Sequence, residues 1–533
     1  AGRYVIARRA GLLACGLRHT LLELEKLTDA AHWRNVARAE LDAALQRKPV
    51  EGVAKNVVLF VGDGMGPSTV TASRIYGGGE ASFLRFETLP WTGILKTYAV
   101  DKKVPDSSCT ATALFTGVKT NYEVAGLDAN VKLGDCAASL EPRNHLSSLL
   151  QWAQEAGKAT GFVTTTRVTH ATPSALYSRC PDRRWECEAK MPKGTEACKD
   201  IGRQLIEDEP GRNLNVIMGG GRQCLQTNIT DSDADPIDTW SCRRKDNKDL
   251  IDTWLADKRK RNLSHKLVEN TGNLLASDTK DADYVLGVFA NGHLKMEWAR
   301  DKSSNGMPSL HDMTTTAIKI LKKNTNGFVL VVEGGMIDMA HHRGHARQAL
   351  DETLAMDRAI SAVLNMTHEN ETLVAVTADH DQGMAFSGYA PREASILGIA
   401  ELSKIDKIPY TSLLYTTGDN SNYQFEQVGD TWQRKNPKDS DTESFTYSQQ
   451  TGVLTDEVHH SGSDVAIYAR GPMAHLFVGV HEQNFVPFVI AYASKIGDYN
   501  AGEKSGSILN VAKAPHLILI PVVVAICTMW HTT

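Results

Sequence analysis

The chain has 533 residues, of which 42% are apolar and 23% charged, and these proportions exclude a disordered or collagen-like protein and a protein with many membrane spans. Its 58 basic and 63 acidic residues give a formal net charge of −5, so no global positive charge is available for a nucleic-acid backbone and no nucleic-acid recognition is expected. Nine cysteines are too few for a disulfide-dense small protein, which indicates a large buried core.

The first fifty residues form a segment of their own. Between about residues 20 and 47, Leu and Ala recur at three- and four-residue spacing, which predicts an amphipathic helix. The preceding stretch AGLLACGL stands behind two arginines and is loosely similar to a secretory signal peptide. We therefore separate an N-terminal segment, residues 1–50, from a main domain at residues 51–497.

The sequence of the main domain predicts an α/β fold. Short apolar β-branched runs alternate with helical segments, and the six clearest runs are 56–64, 159–166, 215–221, 327–335, 372–380 and 464–471. Nearly continuous apolar runs predict strands covered on both faces, and hence a three-layer sandwich with a large, mostly parallel sheet between helices. Polar stretches at about 222–312 and 390–458 are interpreted as surface insertions.

Ligand-type side chains follow several of these predicted strands. They are Asp63, His170, Thr172, Glu333, Asp338, Asp379 and His380. Parallel sheets place their chemistry at the carboxyl ends of strands, so we expect these residues to converge on one face of the domain.

The run VVEGGMIDMAHHRGHARQALDETLAMD at 331–357 is the most specific motif. Asp338 and His342 stand four residues apart and would share one face of a helix, as a pair of metal ligands requires. Together with Asp63, the Asp379–His380 pair and His460, they form an oxygen and imidazole set without thiolates, which suits Zn²⁺ and Mg²⁺. Taken singly, each residue could equally be a core histidine or a loop carboxylate that caps a turn.

The loop around Asp63 also has an alternative interpretation as a nucleotide-binding loop. The glycines of VGDGMG suggest a dinucleotide-binding turn, but the run does not match GxGxxG, and a carboxylate at its centre would repel a pyrophosphate. A metal ligand is the better interpretation of Asp63.

The candidate nucleophile lies in VPDSSCTATALFTGVK at 104–119. After Pro105 the sequence predicts a helix that begins near Ser107 and Ser108, where free N–H groups and the macrodipole favour a phosphate or an ionised serine oxygen. The alternative is a serine that only caps the helix.

The composition of the chain changes from polar to apolar after the spacer NAGEKSGS at 500–507. Residues 517–530 are almost entirely apolar and carry no charge, yet fourteen residues are short for a membrane span of about 20. Small residues, a polar spacer and an apolar tail are typical of a GPI-anchor signal, so residues 498–533 are interpreted as spacer and signal, with the lipid on Asn500 or Ser505. A last buried core element is the alternative.

Six motifs in order resemble the alkaline phosphatase family, over about residues 30–497. They are DGMG, PDSSCTATA, TTTRVTHATP, EGGMIDMAHH, TADHDQG and HHSGSD. The run ARGPMAHLFVGVHEQNFVPFVIAYA is similar to the animal, membrane-attached branch. The resemblance implies a homodimer, with the N-terminal helix as a candidate contact, that hydrolyses phosphate monoesters at alkaline pH through a phosphoserine.

The resemblance also implies a role for each site residue. Ser107 rather than Ser108 is the nucleophile, and Arg183 clamps the phosphate, with Arg179 and Arg184 as neighbouring alternatives. Of the adjacent histidines, His342 and His460 match rather than His341 and His459. Each subunit would bind two zinc ions and one magnesium ion. One zinc would be held by Asp338, His342 and His460, and the second by Asp63, Asp379 and His380. The magnesium ligands would be Asp63, Thr172 and Glu333. His170 would lie next to these ligands.

A fourth, calcium-type site of many animal members is not expected here. Ala290 and Asn305 stand where that site has acidic partners. Without those carboxylates a calcium ion has too few oxygen ligands.

A GPI signal requires passage through the secretory pathway, where disulfides form and glycosylation takes place. The expected location of the protein is the extracellular face of the cell membrane. The resemblance implies the bridge Cys136–Cys198, and the nearest remaining pairs along the chain are Cys180–Cys187 and Cys224–Cys242. Six cysteines allow fifteen pairings, so spacing alone leaves others open. Cys109 is expected to be buried and free. The glycosylation sequons are Asn228, Asn262, Asn365 and Asn370.

Two other functions compete with this interpretation. A phosphodiesterase or sulfatase could share the metal core, although the serine and the arginine together favour monoesters. A surface-anchored binding protein could retain an enzyme fold without activity, but competent residues at every ligand position argue against loss of catalysis.

Overall fold

The computed structural model describes residues 29–500, which contain nineteen strands. In chain order they are β1 Asn56–Gly62, β2 Trp91–Lys96, β3 Ala159–Arg167, β4 Val216–Gly220, β5 His265–Val268, β6 Tyr284–Val288, β7 Phe328–Gly334, β8 Thr372–Ala378, β9 Asp381–Gln382, β10 Met384–Phe386, β11 Ile399–Leu402, β12 Pro409–Thr411, β13 Leu413–Gly418, β14 Phe425–Val428, β15 Thr431–Arg434, β16 Thr451–Leu454, β17 His460–Ser461, β18 Val465–Arg470 and β19 Gly479–Glu482.

The same residues contain fifteen α-helices. They are α1 Ala30–Leu45, α2 Pro67–Gly78, α3 Ser107–Thr116, α4 Cys136–Ser139, α5 Leu149–Glu155, α6 Ala171–Ser174, α7 Ile201–Glu207, α8 Arg222–Leu225, α9 Leu250–Lys260, α10 Thr271–Leu275, α11 Leu310–Leu321, α12 Met336–His342, α13 Ala346–Met366, α14 Asn420–Tyr423 and α15 Val486–Ser494.

Ten strands form one large sheet in the order β19-β2-β18-β8-β1-β7-β3-β4-β6-β5. Every neighbouring pair is parallel except those of β18, which runs antiparallel to both β2 and β8. Helices α11 and α13 pack against each other and against the sheet, and α5 and α15 form a second such group. The predicted large, mostly parallel sheet between helices is confirmed.

The central strands explain why the sequence showed apolar runs without alternation. Every residue of β1, β3, β4, β7 and β8 is buried, because helices cover both faces of the sheet at these strands. Their side chains belong to one continuous core that extends across the domain.

The interpretation of residues 222–312 as a surface insertion is wrong in part. This segment supplies β5 and β6, which complete one edge of the ten-stranded sheet. Both strands are only four or five residues long and lie between charged stretches, so their apolar signal is brief. Residues 390–458 do lie outside the large sheet, and the strands in this segment belong to small sheets of two or three strands.

The described part of the predicted helix at 20–47 is α1, which ends at Leu45, two residues before the predicted end. Asp29 caps α1 by accepting a hydrogen bond from the Ala31 N–H at 2.8 Å, and residues 20–28 lie outside the described range. None of the residues of α1 is buried. Among residues 29–500, no helix combines the length and the apolar composition needed to cross a bilayer.

Candidate active site

Four adjacent strands, β8, β1, β7 and β3, end at one edge of the sheet and bring the predicted ligand residues together. Asp63 follows β1 directly, Asp379 follows β8 directly, and Glu333 is the last residue but one of β7. All three carboxylates are at most 2% exposed. The convergence follows from parallel pairing, since neighbouring parallel strands place their carboxyl ends side by side.

Helix α12 follows β7 and adds the next two residues. Asp338 and His342 lie on the same face of this helix, and the Asp338 Oδ2 atom is 3.1 Å from His342 Nε2. Asp338 is 3% exposed, so its charge faces the other carboxylates across a site that water barely reaches.

The carboxylates repel one another. Burial, with the charges of Asp338 and Asp379, raises the pKa of Asp63 well above its ordinary value. Burial and the charge of Asp379 likewise raise the pKa of Glu333 to about 7, and burial and Asp338 raise that of Asp379 to about 6. Glu333 Oε1 has no hydrogen-bond partner within residues 29–500. A bound cation would relieve this repulsion and supply the missing partner.

The imidazoles are oriented as metal ligands. His342 Nδ1 donates to the Val458 carbonyl oxygen at 2.7 Å, and His460 Nδ1 donates to the Pro105 carbonyl oxygen at 2.9 Å. A histidine held in this way keeps its lone pair on Nε2. The two Nε2 atoms lie 3.0 Å apart, and facing lone pairs repel unless a proton or a metal ion lies on that side.

The electrostatics of the histidines favour a cation at the same point. Burial lowers the pKa of His380 to about 4 and that of His460 to about 3, so both rings stay neutral, the form that binds metal. For His342, the charge of Asp338 outweighs burial and raises the pKa to about 9.

Three groups of ligand atoms lie close enough to hold a metal ion, each with its atoms within 4.8 Å of one another. The groups are Asp338, His380 and His460; Asp63, Asp379 and His380; and Asp63, His170 and Glu333. His342 joins the first through its contacts with Asp338 and His460, and Thr172 Oγ1 lies 3.4 Å from Asp63 Oδ2 in the third. Oxygen and imidazole donors without thiolates fit zinc and magnesium. His170, expected beside the ligands, lies within the third group.

The two neighbouring histidines face elsewhere. The His341 ring lies 3.0 Å from Thr69 Oγ1 and 2.7 Å from the Tyr415 hydroxyl, so both its nitrogens are engaged away from the carboxylates. His459 is exposed and pairs with Asp456. The structure therefore brings His342 and His460 into the cluster, as the sequence analysis expected.

Ser107 is the first residue of α3, and Asp106 caps this helix through the N–H groups of Ser108 and Cys109. The Ser107 Oγ atom lies 3.2 Å from His380 Nε2 and 3.4 Å from Asp63 Oδ1. Ser108 instead donates its hydroxyl hydrogen to Asp106. Of the two serines, Ser107 thus presents its oxygen to the ligand cluster.

Arg183 lies beside this serine. Its guanidinium donates to Asp106 Oδ2 at 3.2 Å and to His170 Nε2 at 3.1 Å. Burial alone would raise the pKa of Asp106, but the Arg183 charge and hydrogen bonds from Ser108 and Glu123 outweigh it, and this pKa lies below its ordinary value. The neighbouring Arg184 is directed outward, with a 60% exposed side chain.

Asp106 was not among the residues predicted from the sequence, although a signal for it exists. An Asp immediately before a serine-rich helix start is a typical N-cap, and here the same carboxylate also orients Arg183. Thr164 and Thr166 of β3, which donate to Glu333 Oε2, carry no such signal, because only the pairing of β3 with β7 brings them there.

Two of the three predicted disulfide pairs are wrong. Cys136–Cys198 forms as expected, but Cys187 pairs with Cys242, so Cys180–Cys187 and Cys224–Cys242 do not form. Cys180 and Cys224 are buried and unbridged within residues 29–500, as is Cys109, which was expected to be free. Proximity along the chain misled the pairing, because folding places residue 242 against residue 187 across 55 positions.

The predicted glycosylation sequons and the position examined as a calcium ligand differ in their exposure. Asn228, Asn262, Asn365 and Asn370 are all exposed, as a glycan requires. Ala290 is fully buried and offers no carboxylate where a calcium ligand was sought. Ser505 lies outside the described residues, which end at Asn500.

The family model for alkaline phosphatases matches residues 54–496. The human tissue-nonspecific alkaline phosphatase is 43% identical over 484 residues, which cover 89% of this chain and 90% of that protein. An alkaline phosphatase of Gadus morhua is 41% identical, over 89% of this chain and 98% of that protein. Alkaline phosphatase 4 of Drosophila melanogaster is 39% identical, over 88% of this chain and 82% of that protein.

Solved structures share the fold. The alkaline phosphatase of Thermus thermophilus superimposes with a TM-score of 0.58 at 23% identity, covering 85% of this chain and 93% of that one. The enzyme of the Antarctic bacterium TAB5 gives 0.56 at 20% identity, covering 84% and 99%.

Proposed function

This chain belongs to the alkaline phosphatase family and is a hydrolase of phosphate monoesters, and we propose that it acts through a phosphoserine on Ser107. The observation that carries the proposal is the position of Ser107 Oγ, within 3.4 Å of both His380 and Asp63 at the centre of the ligand cluster. A serine at the start of a helix, facing a metal-type cluster, is placed to attack phosphorus.

The cluster would hold two zinc ions and one magnesium ion per subunit. Asp338, His342 and His460 would bind one zinc, Asp63, Asp379 and His380 the second, and Asp63, Thr172 and Glu333 the magnesium. When bound, such metals stabilise the ionised serine oxygen and the departing oxygen of the ester. The absence of a carboxylate at Ala290 argues against a calcium ion.

The protein's own residues position the reaction. The Ser107 hydroxyl gives its proton to solvent and its oxygen forms a bond to phosphorus. The bond from phosphorus to the ester oxygen breaks, and that oxygen takes up a proton from solvent and leaves as the alcohol. Arg183 holds two phosphate oxygens as a planar fork, and Asp106 fixes both that fork and the first turn of α3. Water then cleaves the phosphoserine and releases inorganic phosphate, which restores the free hydroxyl.

Hydrolysis of a chromogenic monoester such as 4-nitrophenyl phosphate at alkaline pH tests this proposal. We expect turnover that a chelator abolishes and that added Zn²⁺ and Mg²⁺ restore. Acid quenching during turnover should trap one phosphoryl group on the peptide that contains Ser107. A phosphoryl group found elsewhere, or turnover indifferent to chelation, would contradict it.

We also place the enzyme on the outer face of the cell membrane, held by a GPI anchor on Asn500 or Ser505. The spacer and apolar tail at 498–533 support an anchor signal, and two disulfides and four exposed sequons suit the secretory pathway. Phosphatidylinositol-specific phospholipase C should release the protein from membranes. Mature protein that retains residues 517–530 by mass spectrometry would refute the anchor.

The enzyme would act as a homodimer. Helix α1 buries none of its residues against the rest of the subunit, and Leu41 and Leu45 are 58% and 71% exposed, as expected of a contact with a second copy. Light scattering should give twice the chain mass, and Leu41→Glu with Leu45→Glu should lower it. An unchanged dimer would exclude α1 as the contact.

A further inference from the structure

A cavity of about 230 Å³ opens beside Arg183. Its walls come from the loop at 183–190, the segment at 238–242, and α12 with the following Arg343, and they are completed by Arg167, His170 and His293. Nothing in the hydrolysis of a simple monoester requires this space, since Arg183 already accounts for the phosphate.

The cavity is strongly positive. Five cationic side chains line it against only two carboxylates, Glu186 and Asp238. Both carboxylates bind one buried guanidinium, that of Arg167, at 2.8 Å and 2.7 Å. The five cations and two carboxylates leave the lining with a formal excess of three positive charges.

Two of these cations stand at the rim with no ion pair among residues 29–500. They are Lys190 and Arg343, and neither side chain forms a hydrogen bond within that range. Arg343 follows His342 directly, so it is joined to the helix that carries the ligand pair Asp338 and His342. An unpaired cation beside a phosphate site attracts anionic groups.

Two buried imidazoles add unused donors. His170 Nε2 accepts a hydrogen bond from Arg183, and His293 Nε2 accepts one from Arg167, so in each ring the hydrogen is on Nδ1. Both Nδ1 atoms are buried without a partner in the described part of the chain. The His293 side chain is 10% exposed, and an unsatisfied donor at that depth calls for an acceptor oxygen.

The wall is also rigid. The Cys187–Cys242 bridge joins the loop at 183–190 to the segment at 238–242, and Glu186 accepts hydrogen bonds from both Arg167 and Ser241. A preformed cavity binds a second group without the cost of ordering a loop.

We propose that this cavity is a second anion subsite, in which Arg343, Lys190 and the Nδ1–H of His293 hold a phosphate or carboxylate carried by the leaving group. This inference rests on the proposed function, because it extends the same phosphate site. The substrate class it names is esters or anhydrides of phosphate whose leaving group bears a second anion.

Matched substrates test the subsite. 3-Phosphoglycerate and glycerol 1-phosphate differ only in a carboxylate that replaces a hydroxymethyl group, and pyrophosphate supplies a second phosphate instead. In Arg343→Gln combined with Lys190→Gln, the ratio of kcat/KM for 3-phosphoglycerate to that for glycerol 1-phosphate should fall roughly tenfold, as should the ratio for pyrophosphate. When Arg343→Lys replaces Arg343→Gln in this variant, both ratios should recover much of their wild-type value. Added salt should lower both ratios of the wild-type enzyme.

The control is Lys319→Gln on the exposed side of α11, which removes one positive charge outside the cavity lining and should leave both ratios unchanged. A fall confined to pyrophosphate assigns the subsite to phosphate, and one confined to 3-phosphoglycerate assigns it to carboxylate. Unchanged ratios, or equal losses for charged and uncharged leaving groups, would overturn the inference. Failure of the wild type to hydrolyse glycerol 1-phosphate would instead count against the proposed function.

Discussion

The floor and the rim of the active site are built in different ways. The floor, formed by Asp63, Glu333, Asp338, Asp379 and the three clustered histidines, comes mainly from the ends of central strands. Its carboxylates and His380 are buried, whereas the His342 and His460 side chains are 17% and 10% exposed. The rim, formed by residues 184–190, residues 238–242 and Arg343, comes from loops and a helix end, and it includes exposed cations.

This difference separates chemistry from selectivity. On the floor, each carboxylate alters the pKa of the others, so no residue can change without disturbing the whole cluster. On the rim, one disulfide and one buried arginine hold the walls while Lys190 and Arg343 stay unpaired within residues 29–500. Substitutions in the floor should abolish the reaction, whereas those in the rim should change stability or the choice of substrate.

The largest effect is expected for Ser107→Ala. Loss of the attacking oxygen should lower kcat roughly 10³-fold or more while zinc content and thermal unfolding stay near wild type. Ser108→Ala is the matched control, since its hydroxyl binds Asp106 and not the cluster. If Ser108→Ala were inactive and Ser107→Ala active, the nucleophile would have been assigned to the wrong serine.

The next effect concerns the floor histidines. His342→Ala should lose one zinc ion per subunit and about 10²- to 10³-fold in kcat/KM, because the other ligands then face an incomplete site. His341→Ala removes the same side chain one position earlier, where it contacts Thr69 and Tyr415, and should keep its zinc. Metal analysis of both purified variants decides; equal zinc losses would contradict the assignment.

Arg183 stands between floor and rim, and its removal should have an intermediate effect. Arg183→Ala should lower kcat/KM about 10²-fold through loss of two charge-assisted hydrogen bonds to phosphate. It should also weaken inhibition by inorganic phosphate. Arg179→Ala, whose guanidinium contacts Gln151 and the Glu209 carbonyl instead, should leave phosphate inhibition at the wild-type value. Weakened inhibition in Arg179→Ala alone would place the clamp there.

The smallest effect on chemistry is expected at the rim disulfide. Cys187→Ser should lower the free energy of unfolding by roughly 2 to 4 kcal/mol, because the bridge closes a long loop in the unfolded chain. Cys224→Ser leaves the bridge intact and is the control. Denaturant unfolding measures both, and non-reducing peptide mapping should recover Cys187 with Cys242. A Cys224–Cys242 peptide would contradict the structure.

Several features of the floor could be predicted from sequence because they depend on local rules. Continuous apolar runs predicted the buried strands, and a carboxylate just after such a run lies at the edge of a parallel sheet, as Asp63 and Asp379 do. The spacing of Asp338 and His342 predicted a shared helix face. Choosing His342 over His341 also needed the resemblance to a known family.

The rim was decided by the tertiary structure alone. The prediction of the cysteine pairs failed because residues 187 and 242 are 55 positions apart, with β4, α7 and α8 between them, and only the folded structure brings them together. The strands β5 and β6 were hidden because so few residues carry their apolar signal. Likewise, no local pattern shows that Arg167 forms ion pairs with both Glu186 and Asp238 across up to 71 positions. Local periodicity and spacing are properties of neighbouring residues and can be read in the sequence, whereas a cavity and its unpaired charges depend on contacts between distant segments, which exist only once the chain has folded.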